Sequence, residues 1–149
     1  MKTSGNVLSV SPVEEDHTAL ERILTDAAWM PPAETPWKVA RTRTLASALT
    51  TLRQVECAVI VCERDLELGC WKDLLECTQR LANPPFLIVT SRHADEYLWA
   101  EALNLGAYDV VAKPFRPAEV IRVVNLACLR WQRRREHAGR PMEVGAAAS

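Results

Sequence analysis

Four side chains that can do chemistry come directly after four short apolar segments of this sequence. They are Ser11, Cys62, Thr90 and Lys113. A thiol beside an ammonium is a candidate nucleophile, because a neighbouring cation lowers the thiol pKa. Cys62 near Lys113 is therefore a candidate reactive thiolate, although a buried, inert cysteine is the interpretation that we favour. Thr90 can cap or turn the segment before the next helix.

Carboxylates lie close to these positions in the sequence. Glu63 follows Cys62, and Lys113 is either a solvated lysine or the partner of Glu63 in a salt bridge. Asp65 lies further along the loop, where it can cap the next helix. The run Glu14–Asp16 falls on the first turn of a predicted helix, and there we favour capping and a favourable interaction with the helix dipole over a displaced metal site.

The composition excludes several other functional classes. The three histidines are scattered and the five cysteines contain no CxxC pair, so no zinc site is predicted. The cysteines are typical of a reduced, cytoplasmic protein. The net charge of −1 gives no general attraction to nucleic acid. No apolar run approaches the roughly 20 residues that span a bilayer, and the first residues do not have the form of a signal peptide.

Short apolar runs alternate with helical periodicity along the whole chain, which predicts an α/β fold with a parallel sheet covered on both faces. The runs CAVIV, at 57–61, and FLIV, at 86–89, are continuous and should be central strands. Ser11 has the form of a cap for the first helix, which we expect to continue to Trp29. The predicted strands are 7–10, 38–42, 57–61, 86–89 and 108–112, the predicted loop is Met30–Pro36, and the predicted last helix runs from Pro117 to about Arg135.

The segment IVTSRHADEYLWAEALNLGAYDVVAKPF, at 88–115, resembles the second half of a response-regulator receiver domain. It has a threonine at the end of the fourth strand, a Gly-Ala turn, and Lys-Pro-Phe after the fifth strand. The resemblance covers about Asn6 to Trp131. It implies a flavodoxin-like (CheY-like) three-layer sandwich with strand order 2-1-3-4-5. We expect one receiver-like domain at 6–135, with flexible ends at 1–5 and 136–149.

In receivers, an aspartate after the third strand accepts a phosphoryl group, and two acidic residues after the first strand hold Mg²⁺. A hydroxyl and a lysine then bind the phosphoryl oxygens. Matched to this pattern, the chain keeps Thr90 and Lys113, while the acidic pair falls on Ser11 and Pro12. The phosphoacceptor position falls on Cys62. Without those carboxylates we expect weak or absent Mg²⁺ binding, no metal or other cofactor, and no phosphorylation of the usual kind.

The leading hypothesis is a stand-alone pseudo-receiver that is not an enzyme and acts by protein–protein contact in a two-component network. Its partner would be a protein of the pathway, such as a histidine kinase or a second copy of the chain. One alternative is a phosphoacceptor that uses a relocated carboxylate, Glu63 or Asp65. Another is a thiol-based sensor at Cys62.

Receivers commonly signal through the fourth helix, fifth strand and fifth helix, and the sequence predicts apolar residues there that lie off the core stripes. On the fourth helix, the stripe is Leu98–Ala102–Leu105, closed by Gly106. The alternative to a partner face is a long last helix that extends beyond the sheet and exposes a few scattered apolar residues. For the basic cluster RWQRRREH, at 130–137, we favour interaction with the helix dipole and a role in solubility over nucleic-acid binding. The predicted partner face is Trp99, Leu103, Val110, Leu126 and Leu129.

Overall fold

Twelve helices and strands are present in the computed structural model, which describes residues 6–26 and 37–139. The predicted loop Met30–Pro36, the predicted helical residues 27–29, the predicted flexible end at 1–5 and residues 140–149 of the predicted flexible end at 136–149 lie outside that range. In chain order the elements are β1 (Asn6–Val10), α1 (Glu14–Thr25), β2 (Lys38–Thr42), α2 (Leu45–Gln54), β3 (Val59–Glu63), β4 (Asp65–Leu66), β5 (Gly69–Cys70), α3 (Trp71–Thr78), β6 (Phe86–Ser91), α4 (Glu96–Leu105), β7 (Asp109–Ala112) and α5 (Pro117–Gly139).

Five strands form one parallel sheet in the order β2-β1-β3-β6-β7. Counted along the chain within that sheet, this is the order 2-1-3-4-5, so the predicted flavodoxin-like fold is confirmed. The short strands β4 and β5 form a separate antiparallel ladder in the connection to α3, which the sequence did not predict. Gly69, at φ +140°, allows the tight turn between them, because a residue with a Cβ rarely adopts that conformation.

The two faces of the sheet carry separate apolar clusters, because successive side chains of a strand point to opposite faces. Ile60 and Leu87 face α2, α3 and α4, whereas Val59 and Ile88 face α1 and α5. Both CAVIV and FLIV supply central, buried strands, as predicted. The cluster on the first face includes Ala48, Leu74 and Leu98, and the cluster on the second includes Leu20, Val120 and Ala127.

Several element boundaries differ from the prediction in ways that matter for the site. β3 runs from Val59 to Glu63, two residues later than predicted, because its ladder with β6 continues to the pair Glu63–Thr90. α1 begins at Glu14, and the N-cap position, Val13, makes no side-chain capping bond. The prediction that Ser11 caps this helix is therefore wrong.

The last two helices also differ from the predicted pattern. α5 continues to Gly139, four residues beyond the predicted end of the domain. On α4, Leu98 and Ala102 are buried as predicted, but Leu105 is exposed because the helix ends there. Gly106, at φ +106°, provides the predicted left-handed stop. No helix among the described residues is long and apolar enough to cross a membrane.

Candidate functional site

The carboxyl edge of the sheet brings together three of the residues that the sequence singled out. Glu63 is the last residue of β3 and lies opposite Thr90 of β6 in the ladder. Lys113 follows β7, and its backbone amide donates to the carbonyl of Ser91. Because these strands are parallel and adjacent, their carboxyl ends meet at one edge. The ladder therefore fixes the backbone of each of these residues.

Lys113 is held between two carboxylates at this edge. Its Nζ lies 2.5 Å from Glu63 Oε1 and 2.8 Å from Asp16 Oδ2. The side chains of Lys113, Glu63 and Asp16 are only 9%, 13% and 13% exposed. Thr90 Oγ1 donates a longer hydrogen bond of 3.5 Å to the same Glu63 oxygen. We call Lys113, Glu63, Asp16 and Thr90 the ion cluster.

The electrostatics of the ion cluster favour the charged form of Lys113. Burial alone lowers the pKa of an ammonium, because water no longer stabilises its charge. The hydrogen bonds from Lys113 to Asp16 and Glu63, together with the attraction of both carboxylates, outweigh that effect and raise its pKa above the ordinary value. Lys113 is therefore a structural cation with two internal partners and not a solvated lysine.

Asp16 is the residue of this site that the sequence interpretation missed. For Glu14–Asp16 we favoured capping and interaction with the helix dipole over a displaced metal site, and Glu14 does lie on the surface, paired with Arg41. Asp16 instead turns inward to Lys113. The signal was present in the sequence, because Asp16 lies four residues before the buried Leu20 and so shares the inner face of α1.

Ser11 and Pro12, which the sequence analysis matched to the acidic positions of receivers, supply no carboxylate but do shape the site. The Ser11 hydroxyl donates to Asp16 Oδ2 over 2.6 Å and accepts a hydrogen bond from the amide of Val13. The carbonyl of Pro12 accepts a hydrogen bond from Arg43. Ser11 thus supports the carboxylate of Asp16, which enters the site from α1. In receivers, by contrast, the corresponding carboxylates come from the end of the first strand.

Cys62 lies in the core and not beside Lys113. Its position in β3 turns its side chain to the face opposite that of Glu63, into the cluster that contains Leu74 and Val89. Its Sγ donates to the carbonyl of Glu63 over 3.2 Å. Burial, with smaller contributions from Glu63 and Cys70, raises the Cys62 pKa far above its usual range. This environment disfavours the reactive thiolate that the sequence left open.

Of the two candidate relocated carboxylates, only Glu63 belongs to the ion cluster. Asp65 lies in β4, its side chain is 78% exposed, and it forms a distant ion pair with Arg64 at 3.9 Å. Asp65 belongs to the separate β4–β5 ladder and not to the parallel sheet. Asp65 also does not cap α3, because that role belongs to Asp73, which accepts a hydrogen bond from the amide of Cys70.

The residues present do not fit a Mg²⁺ ion of the receiver type. Mg²⁺ requires near-octahedral oxygen ligands, several of them supplied by carboxylates or water. The oxygens Asp16 Oδ2 and Glu63 Oε1 instead bind the ammonium of Lys113. Among residues 6–26 and 37–139, no group of three or more His, Cys, Asp or Glu residues is placed to hold a metal.

Four residues of the predicted partner face are exposed and one is not. The four lie on α4 and α5 and are between 36% and 51% exposed: Trp99, Leu103, Leu126 and Leu129. Val110 of β7 is only 8% exposed, because it packs with Leu98 and Ala102 under α4. Including Val110 in the face was therefore wrong.

Arginine side chains of the basic cluster at the end of α5 contact other parts of the domain. The guanidinium of Arg134 lies 4.6 Å from the centre of the Phe86 ring and donates to the carbonyl of Pro84. Arg135 forms a 3.0 Å ion pair with Glu56. These contacts give the arginines a structural role, in addition to the dipole and solubility effects that the sequence indicated.

Comparisons with known proteins agree with this architecture. A scan against protein-family models and a search of curated proteins find no match. Among solved structures, the chain is similar to the signal receiver domain of an HD domain-containing protein from Pseudomonas fluorescens Pf-5, with TM-score 0.77 and 20% identity over 91% of this chain and 95% of that one. It is also similar to the signal receiver domain assigned to a LuxO repressor protein from Vibrio parahaemolyticus, with TM-score 0.79 and 18% identity over 92% and 99% of the two chains.

A third similar structure is the beryllofluoride-activated NtrC4 receiver domain dimer, with TM-score 0.72 and 20% identity. That match covers 85% of this chain and 98% of the NtrC4 domain. At these identities the likeness shows the fold alone, and it agrees with the observed order of the strands in the sheet. The chain has the fold of the response-regulator receiver domains.

Proposed function

We propose that this protein is a receiver-type signalling domain of a two-component network that acts by protein–protein contact and is not switched by phosphorylation in the usual way. The observation that carries the proposal is the ion cluster. Lys113, at the position where receivers bind a phosphoryl group, is already bonded to Glu63 and Asp16. A phosphoryl group entering the site would have to displace these internal carboxylates.

Glu63 takes the place of the phosphoryl group in this proposal. Its Oε1 accepts hydrogen bonds from both Thr90 and Lys113, the two groups that bind phosphoryl oxygens in the family that the sequence resembles. A carboxylate supplied by the chain itself holds the site in one arrangement, which we call the locked state. A ligand shifts a conformational equilibrium only by its differential affinity for the two states, so a locked domain should not respond to phosphodonors.

The exposed apolar residues of α4 and α5 form the contact surface in this proposal. Large apolar side chains grouped on adjacent elements are typical of interaction sites. A second copy of the chain is the partner that we propose to test first, since the similar NtrC4 receiver domain is a dimer. We also propose that the protein acts in the cytoplasm, which its five free cysteines support because they are typical of a reducing compartment. We further propose that it is not an enzyme.

Sedimentation velocity of the wild type and of a Trp99→Glu, Leu126→Glu double variant tests the contact surface. Two charges on an apolar contact should abolish self-association without unfolding the domain, because both side chains are exposed. A Val55→Glu, Leu68→Glu double variant is the matched control, since both residues are exposed and apolar but lie outside α4 and α5. Equal association of the wild type and the α4–α5 variant would reject this surface, as would a wild type that remains monomeric.

A second candidate function is phosphorylation of Glu63, and the short distances from Glu63 to Lys113 and Thr90 favour it. In that reaction a Glu63 carboxylate oxygen would attack the phosphorus of acetyl phosphate, form an acyl phosphate and release acetate. Incubation with acetyl phosphate and Mg²⁺, followed by intact-mass measurement, separates the two functions. We expect no adduct. An adduct that is present in Asp65→Asn and absent in Glu63→Gln would establish the second function instead.

A further inference from the structure

We infer that His17 is a positioning residue of the ion cluster, which holds the β1–α1 connection so that Asp16 reaches Lys113. This inference rests on the proposed function, because it treats the ion cluster as the working site. His17 lies on α1 and is fully buried. No sequence motif drew attention to it, and it makes no direct contact with Lys113 among the hydrogen bonds of the cluster.

Both ring nitrogens of His17 are bonded to the segment that leads into α1. Nδ1 lies 2.7 Å from Ser9 Oγ, and Nε2 lies 2.9 Å from the carbonyl oxygen of Ser11. A carbonyl can only accept a hydrogen bond, so Nε2 carries the proton that it donates to Ser11. The ring of His17 in α1 therefore connects to Ser9 of β1 and to Ser11 of the β1–α1 connection, with defined donors and acceptors.

The position of Asp16 depends on the same segment. α1 has no side-chain N-cap, so its first turn is not fixed in the usual way. Ser11 is held instead through its carbonyl by His17 and through its amide by the carbonyl of Thr42, at 3.0 Å. Its hydroxyl is then aimed at Asp16 Oδ2, the oxygen that also accepts the hydrogen bond from Lys113.

The result is a continuous hydrogen-bonded chain from the buried end of β1 to β6. Each member is satisfied by the next, which is how buried polar groups are retained in folded proteins. Removing the imidazole leaves a buried hydroxyl and a buried carbonyl without their partner, and frees the backbone that orients Asp16. The chain runs through Ser9, His17, Ser11, Asp16, Lys113, Glu63 and Thr90.

The exchange rate of the Lys113 ammonium protons with water, measured by ¹⁵N NMR, tests this role. The sequence contains four lysines, so the Lys113 signal can be assigned with a single Lys113→Arg variant. We expect exchange to become about tenfold faster in His17→Leu and to stay within about twofold of wild type in His17→Gln, whose amide nitrogen can still donate to Ser11. His17→Asn, whose shorter amide reaches only towards Ser9, should behave like His17→Leu.

Leu20→Ala is the matched control, because Leu20 is a buried α1 residue outside the hydrogen-bonded chain. It should lower the free energy of unfolding while leaving Lys113 exchange within about twofold of wild type. Unchanged exchange in His17→Leu, or equally fast exchange in Leu20→Ala, would overturn the inference. If His17→Leu does not fold, the comparison of His17→Gln with His17→Asn decides, and equal exchange in those two overturns it.

The same spectrum distinguishes failure of this inference from failure of the proposed function. A wild-type Lys113 signal that exchanges as fast as that of surface-exposed Lys72 would mean that the ion cluster does not form, which rejects both. Slow exchange in the wild type that does not depend on His17 rejects only the positioning role. Phosphorylation and self-association are measured separately and do not enter this readout.

Discussion

Replacing Lys113 with methionine should destabilise the domain far more than the loss of an ordinary ion pair. The change leaves Asp16 and Glu63 facing one another with side chains that are each only 13% exposed. Breaking a buried pair by removing one partner costs about 3–5 kcal/mol, because a charge remains uncompensated. Since the site retains some access to water, we expect the free energy of unfolding at pH 7 to fall by about 3 kcal/mol.

Lys72→Met is the matched control for this prediction. Lys72 Nζ lies 2.6 Å from Glu101 Oε2, a distance similar to those in the ion cluster, but these side chains are 47% and 36% exposed. Exposed pairs contribute about 0–1 kcal/mol. Urea denaturation measures the loss of free energy of unfolding in each variant, and the two losses are compared directly if the m-values are equal. A loss in Lys113→Met within about 0.5 kcal/mol of that in Lys72→Met would refute the reasoning about burial.

The pH dependence of the same difference gives a second check. Burial lowers the Lys113 pKa, but its bonds to Asp16 and Glu63 outweigh this and leave the folded-state pKa raised. The native state therefore holds this proton more tightly than the unfolded state, whose lysine pKa is about 10.4. The stabilisation is present below that pH and is lost as the pH rises through the folded-state pKa. The difference in free energy of unfolding between wild type and Lys113→Met should shrink in that alkaline range. A constant difference would contradict a raised Lys113 pKa in the folded state.

Three further predictions concern other parts of the domain. Native Cys62 should be alkylated at least about tenfold more slowly than half-buried Cys70 in mass-mapped labelling, because burial raises its pKa; similar rates would show an accessible thiol. Burial, with Glu56, raises the Cys57 pKa to about 11, so stability should fall with rising pH once the unfolded thiol ionises at about 8.5. Cys57→Ala should make that fall shallower in urea titrations, and an unchanged slope would count against it. Gly106→Ala should cost about 1 kcal/mol, because φ is +106°; unchanged unfolding would be inconsistent with that conformation.

The parallel sheet with helices on both faces could be predicted from short, regular patterns in the sequence, whereas the strand order was implied by the family resemblance. CAVIV and FLIV are apolar at every position, as strands covered on both faces must be, and Gly106 marked the end of α4. The family resemblance placed Thr90 and Lys113 at the correct edge. Each of these features can be recognised from a few neighbouring residues, without knowledge of the rest of the chain.

The choice of partners for Lys113 could not be predicted in the same way. Whether Cys62 or Glu63 faces the site depends on where the β3 ladder ends, and a shift of one residue exchanges the two faces. Asp16 lies 97 residues from Lys113 in sequence, and local features of its helix favoured capping and a dipole role. Val110 was assigned to the surface because the sequence pattern did not reveal that α4 covers that side of β7.

The most direct test of the locked ion cluster is the amide NMR spectrum of the wild-type domain with and without beryllofluoride and Mg²⁺. Because Glu63 already occupies the place between Thr90 and Lys113, we predict no saturable shifts at the amides of these residues or along α4. Mg²⁺ without beryllofluoride is the control for general ionic effects. Saturable shifts at Thr90 and Lys113 that extend to Trp99 would contradict the locked state and show a site that still responds to a phosphoryl mimic.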